Sequence, residues 1–84
     1  MSHDMRTFLA DAFREWRLSD GPVAGGVLVG DGGLGIDSLL LTELEARFYA
    51  EFGVELESAD VKRMPHMTVD ELAGFLADQA HGGT

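Results

Sequence analysis

Ser38 lies in the run Gly35-Ile36-Asp37-Ser38-Leu39 and has the setting best suited to chemistry in this chain. Asp and Ser favour helix starts, so Asp37 is expected to cap a helix that begins at Ser38. A serine there is exposed, sits on a rigid element, and can be reached by another protein's active site. It is badly placed as a nucleophile in its own right. A catalytic serine needs a base within hydrogen-bond reach and a further group to orient that base. The three histidines, His3, His66 and His81, are scattered, and His3 and His81 lie near the termini. With no His pair at ligand spacing and no Cys, the sequence supports no metal site. Asp31 to Thr42 could suggest a calcium loop, but Thr42 stands where the ion needs Glu.

A second pattern shares the same stretch. Val27-Leu28-Val29 followed by Gly30-x-Gly32-x-x-Gly35 reads as a short apolar strand and a dinucleotide fingerprint, with Glu55 twenty residues beyond Gly35. Gly30, Gly32 and Gly35 would then cradle a pyrophosphate. The context opposes this reading. The fingerprint belongs to a βαβ unit with a parallel sheet, and the flanking segments here are helical in period. The apolar run is short for a buried strand, and Asp31 and Asp37 would repel the phosphates.

The elements that must position Ser38 follow from periodicity. Residues 4–17 read as an amphipathic helix, with Met5, Leu9, Ala12, Phe13 and Trp16 inward and Phe8 beside them. Ser2 or Asp4 could cap its start, and Asp20-Gly21-Pro22 should stop it. Residues 18–36 hold seven of the 11 glycines and form a long first loop, a length that is often functional. Val23, Val27, Leu28, Val29, Leu34 and Ile36 are expected to pin that loop to the core. A second helix covers 38–52, with Gly53 as its left-handed C-cap. A short helix at 58–64 begins at Ser58 and is stopped by Pro65. The last helix covers 69–80, opened by the capping box Thr68-Val69-Asp70-Glu71, with Val69, Leu72, Ala73, Leu76 and Ala80 inward and Phe75 alongside. Residues 81–84 are expected to be a flexible tail. The whole of 1–84 is expected to be one all-α domain: a small bundle of three main helices, one short helix before the last, and a long first loop.

On the second helix, Leu40, Leu41, Leu44, Phe48 and Phe52 share an arc of about 120° and make its core face. Leu39 falls outside that arc, on the side of Glu43, Ala46 and Ala50. Leu39, Glu43 and Ala46 therefore form a candidate docking patch beside Ser38, combining small apolar contacts with one charge. Phe8, Phe13, Trp16 and Phe75 lie at core spacing on the other helices.

Composition narrows the function classes. The chain has 84 residues and a formal charge of -9, from 15 acidic residues against 6 Lys and Arg. Six scattered cations cannot displace the counterions of a nucleic acid, and an anionic membrane would repel the chain. No apolar run is long enough to span a bilayer, and Met1–Asp4 lacks a signal pattern, which fits a cytoplasmic monomer. So small a domain buries a thin core and depends on well-capped helices.

Four motifs in register carry a family resemblance that runs from about Leu28 to Leu76: Gly35-Ile36-Asp37-Ser38-Leu39, Glu43-Leu44, Phe52-Gly53-Val54 and Thr68-Val69. Together they resemble the acyl carrier proteins and the related peptidyl carrier proteins. The resemblance implies that Ser38 carries a covalent 4′-phosphopantetheine arm donated from coenzyme A. The arm's thiol would hold an acyl or aminoacyl thioester. Asp37 and Leu39 would complete the motif, with Asp37 helping the transferase grip it. A helix start favours anions, which suits a phosphodiester on Ser38. The chain would be a carrier and not an enzyme. Its partners would be a phosphopantetheinyl transferase, an acyltransferase or ligase and a ketosynthase, or an adenylation enzyme if it is a peptidyl carrier.

The subtype signals are mixed. Leu40, Tyr49 and Ala50 stand where many acyl carriers have acids, and Ser-Leu-Leu is common in peptidyl carriers. Against this, Gly-Ile-Asp-Ser differs from the usual peptidyl Gly-Gly-His/Asp-Ser, and Glu43-Leu44 favours an acyl carrier. The glycine run before Ser38 resembles the loop of some discrete acyl carriers of biosynthetic pathways. The expectation is therefore a free-standing acyl carrier of polyketide, fatty-acid-like or related secondary metabolism.

Overall fold

The structure, a computed structural model, describes residues 5–18 and 25–82. Among them are four α-helices and one 3-10 turn: α1 (Met5–Glu15), α2 (Ser38–Phe52), α3 (Ser58–Arg63), the 3-10 turn Met64–His66, and α4 (Val69–Gly82). No described helix is long and apolar enough to cross a membrane. The all-α bundle expected from the sequence is what forms.

The core sits where the apolar stripes of three helices meet. Leu9 and Phe13 of α1, Leu44 and Phe48 of α2, and Leu72 and Leu76 of α4 are fully buried, with Met64 and Val29 filling between them. Burying a side chain of this size contributes about 1.5–3 kcal/mol. On α2 the predicted core face is right in direction, with Leu41 also buried and Leu40 and Phe52 half-buried. Phe8, Trp16 and Phe75 are half-buried and pack against the core. Phe8, Phe48 and Phe52 meet edge-on or tilted, with centroids 5.0–6.1 Å apart, and so lock α1 to the far end of α2. Arg47 lies 5.5 Å from the Trp16 ring centroid and pairs with Glu15, joining the same two helices. Arg6 pairs with Asp70 and joins α1 to α4.

Three boundaries differ from the sequence expectation. Helix α1 ends at Glu15 and not at residue 17. Arg17 takes φ 61°, its amide donates to Arg14 O at 3.0 Å, and the Leu18 amide donates to Phe13 O at 2.9 Å. This is a Schellman closure with Arg in the left-handed position, driven by Leu18 packing back on the core. The helix is therefore closed before Asp20-Gly21-Pro22 is reached. Those residues, the proposed caps Ser2 and Asp4, and Val23 lie outside the described residues. Helix α3 stops at Arg63 because Met64 and Pro65 tighten into the 3-10 turn, and its N-cap, Glu57, makes no side-chain cap bond. Helix α4 continues through Gly82, so His81 and Gly82 are helical and not part of a tail. A histidine in the last turn suits the negative end of the helix dipole.

The capping signals hold. The Asp37 carboxylate accepts from the Leu40 amide at 3.0 Å. Gly53 closes α2 at φ 71°, with its amide donating to Tyr49 O at 2.7 Å. The Thr68 amide donates to a Glu71 carboxylate oxygen at 2.9 Å, and the Glu71 amide donates to Thr68 Oγ1 at 3.1 Å. That reciprocal pair is the capping box the sequence announces.

The described part of the first loop, residues 25–36, is held by backbone. Val69 donates to Val27 O at 2.8 Å, Val29 to Met67 O at 2.9 Å, Gly30 to Pro65 O at 2.9 Å, and Asp70 to Gly25 O at 2.9 Å. The loop then folds on itself, with Leu34 donating to Leu28 O at 2.8 Å and Ile36 to Val29 O at 3.0 Å. Val29 and Ile36 are buried as expected, and Val27 and Leu34 are half-buried. Leu28 is not a core pin. It is 37% exposed, because alternation along the bridge to Thr68 turns it outward while Val29 turns in.

Candidate functional site

Ser38 is the first residue of α2 and is exposed. Two local bonds fix its backbone. Asp37 caps the helix through the Leu40 amide, and the Thr42 hydroxyl donates to the Ser38 carbonyl at 2.9 Å. Upstream, the Ile36 amide is tied to Val29 O, and buried Ile36 anchors the chain two residues before the serine. The hydroxyl is thus presented from a helix start braced on both sides, close to where the dipole favours a phosphate.

The expected docking residues share one exposed face. Leu39 is 75% exposed, and Glu43 and Ala46 are exposed one and two turns further along. Tyr49, 57% exposed, extends the same stripe. A groove beside it is lined by Thr42, Glu45, Ala46, Tyr49, Glu55 and Leu56. Sequence reasoning missed Tyr49 and this second wall. Tyr49 was visible three residues after Ala46, but the wall supplied by Glu55 and Leu56 exists only once Gly53 has turned the chain.

The remaining candidates separate from the serine in different ways. His66 is exposed in the 3-10 turn and His81 is exposed on α4, while His3 lies outside the described residues. Among the described residues, no group of three or more His, Asp or Glu could hold a metal ion. Gly30, Gly32 and Gly35 do not form a dinucleotide cradle. The described residues contain no strand, only the isolated Leu28–Thr68 bridge, so the sheet that the fingerprint requires is missing. Their backbone serves the turn instead: the Gly30 amide donates to Pro65 O and the Gly35 amide to Gly30 O.

A family model described as the phosphopantetheine attachment site matches residues 32–76, just over half of the 84 residues. The chain belongs to that family. No curated protein and no solved structure was found to match it significantly. As a phosphopantetheine-binding carrier domain it is a non-catalytic carrier, and its covalent cofactor is 4′-phosphopantetheine. The residues fit such a group. The matched segment contains a braced, exposed helix start with a free-facing serine and an open cleft alongside, lined in part by Asp37 and Ile36. Carrier function also implies partner enzymes that load and unload the group.

Proposed function

We propose that Ser38 is the attachment residue and that the domain is an acyl carrier. The observation that carries this is the exposed Ser38 at a capped helix start, inside the matched segment and braced by Asp37, Thr42 and Ile36. In the modification, Ser38 Oγ forms a phosphodiester with the phosphopantetheinyl group while the pyrophosphate bond of coenzyme A breaks. Adenosine 3′,5′-bisphosphate leaves, and the hydroxyl proton passes to a base of the phosphopantetheinyl transferase. The bound arm supplies a thiol that holds an acyl group as a thioester. The chain's own work is to hold Oγ outward, to favour the phosphodiester at the helix start, and to offer a docking face.

That face is Leu39, Glu43 and Ala46, next to the serine and exposed along one side of α2. Its apolar contacts and single carboxylate suit partners with a small basic rim, such as an acyltransferase or ligase and a ketosynthase. The setting we propose is a cytoplasmic monomer serving polyketide, fatty-acid-like or related secondary metabolism. A peptidyl carrier loaded by an adenylation enzyme is the second reading, favoured by Leu39-Leu40 directly after Ser38 and by the apolar character of this face.

The test is incubation with coenzyme A, magnesium and a broad-specificity phosphopantetheinyl transferase, followed by intact mass. One phosphopantetheinyl addition is expected in the native chain and in Ser58→Ala, the other serine at a helix start, and none in Ser38→Ala. Addition to Ser38→Ala overturns the assignment.

A further inference from the structure

An open cleft of about 380 Å³ lies beside the proposed attachment residue, lined by Leu28, Asp31, Ile36, Asp37, Pro65 and His66. Asp37 immediately precedes Ser38, so the cleft ends one residue short of the serine, at the cap of its helix. Its walls come from the two sides of the backbone ladder. Leu28 lies in the first loop, and Pro65 and His66 lie on the 3-10 turn, held together by the Gly30–Pro65 and Val29–Met67 bonds. This is the one place where Leu28, an apolar residue turned outward by the bridge, has a function in prospect.

The polar lining is specific. Two carboxylates, Asp31 and Asp37, disfavour an anion inside the cleft. One of them, Asp37, is already engaged as an acceptor for the Leu40 amide. His66 is the only lining side chain with an N–H to donate. Leu28, Ile36 and Pro65 offer a branched apolar surface. A ligand matching this set is neutral, carries a branched hydrocarbon group, and has amide or hydroxyl groups able to accept from His66 and donate to Asp31. The middle of a phosphopantetheine arm has that chemistry: a gem-dimethyl group, a hydroxyl and amides. Its anionic phosphodiester would stay outside, at the start of α2.

We infer that this cleft holds the neutral middle of the arm against the 3-10 turn, with Leu28 and Pro65 packing on its methyl groups and His66 donating to a carbonyl or hydroxyl oxygen. This rests on Ser38 being the attachment residue. His66 is then a positioning residue: it limits where the thiol end can swing and plays no part in thioester chemistry. The cleft shares no lining residue with the Leu39–Glu43–Ala46 face, so an arm held there does not cover those three side chains.

The test uses the native chain after transferase modification, with intact mass read first. Nuclear Overhauser contacts are then sought between the arm's methyl groups and Leu28. The contacts are expected in the modified native protein and in His66→Gln, which keeps a donor. They should weaken in His66→Ala. The arm thiol should react with a soluble disulfide reagent at least about twofold faster in His66→Ala than in His66→Gln. Complete mass gain without those contacts overturns the cleft while leaving the attachment residue standing. Equal contacts and equal thiol rates in His66→Ala and His66→Gln overturn the role of His66. Absence of mass gain in the native chain overturns both proposals. Since His66 is exposed, both His66 variants should melt like the native protein, so a lost contact reports positioning and not unfolding.

Discussion

Gly33→Ala should break the approach to the site without touching it. A Cβ at Gly33 would stand 2.0 Å from the Leu28 carbonyl oxygen and 2.7 Å from the Leu28 carbonyl carbon and amide nitrogen. These are backbone atoms, so no side chain can swing aside and the turn must open. Opening gives up the Leu34–Leu28 bond at 2.8 Å and the Ile36–Val29 bond at 3.0 Å. Two backbone bonds at about 0.5–1.5 kcal/mol each, with local strain of about 1–3 kcal/mol, sum to about 2–6 kcal/mol. In a domain of this size each kcal/mol moves the melting temperature by about 4–8 °C, so a fall of about 10 °C or more is expected. Thermal unfolding followed by far-ultraviolet circular dichroism reads the fall directly. Gly26→Ala is the matched control, because a Cβ there meets no atom within 4 Å. Amide hydrogen exchange supplies a second readout: Leu34 and Ile36 should lose protection in Gly33→Ala while Leu44 and Phe48 keep theirs relative to global stability. A Gly33→Ala protein that melts with Gly26→Ala and keeps those two amides protected would refute the claim that the loop is locked by this close approach.

Two further outcomes follow from the caps and the docking face. Arg17→Gly should raise stability by about 0.5–1 kcal/mol, a melting gain of a few degrees, because Arg17 occupies a left-handed position at φ 61° that glycine takes without steric cost; an unchanged or lower melting temperature in the same circular dichroism assay counts against the Schellman closure. Glu43→Lys should slow association with a basic loading partner several-fold at low salt and leave the melting temperature unchanged, since the Glu43 side chain is exposed; stopped-flow transfer rates that do not differ from the native chain, at low and at high salt, remove Glu43 from the docking face.

What was legible in the sequence was what a few neighbouring residues decide among themselves. Asp37, Gly53 and the Thr68–Glu71 pair act within one turn of helix, and each cap forms where its residues announce it. The exposure of Leu39 was also readable, because helical period alone separates it from Leu41, Leu44 and Phe48. The end of α1 was not, since it depends on Leu18 finding the core and on Arg17 accepting a strained backbone to let it do so. Leu28 was misplaced for a similar reason. Its hydrophobicity argues for burial, and only pairing with Thr68, far along the chain, decides which way it faces. The cleft beside Ser38 was invisible because its two walls meet only through that pairing.

The backbone ladder between Gly25–Gly30 and Pro65–Asp70 has a consequence for the order in which the protein is made. Its partners lie about forty residues apart, and closing so long a segment costs chain entropy before any bond repays it. Each helix can form from its own neighbours, whereas the approach to Ser38 needs Met67 and Val69 to be present. During synthesis the local caps of α2 can form before Met67 and Val69 are available, so the loop side of the brace forms after the helix it leads into. Order in the loop before Ser38 therefore reports that the contact with α4 is complete, whereas the capped helix start does not.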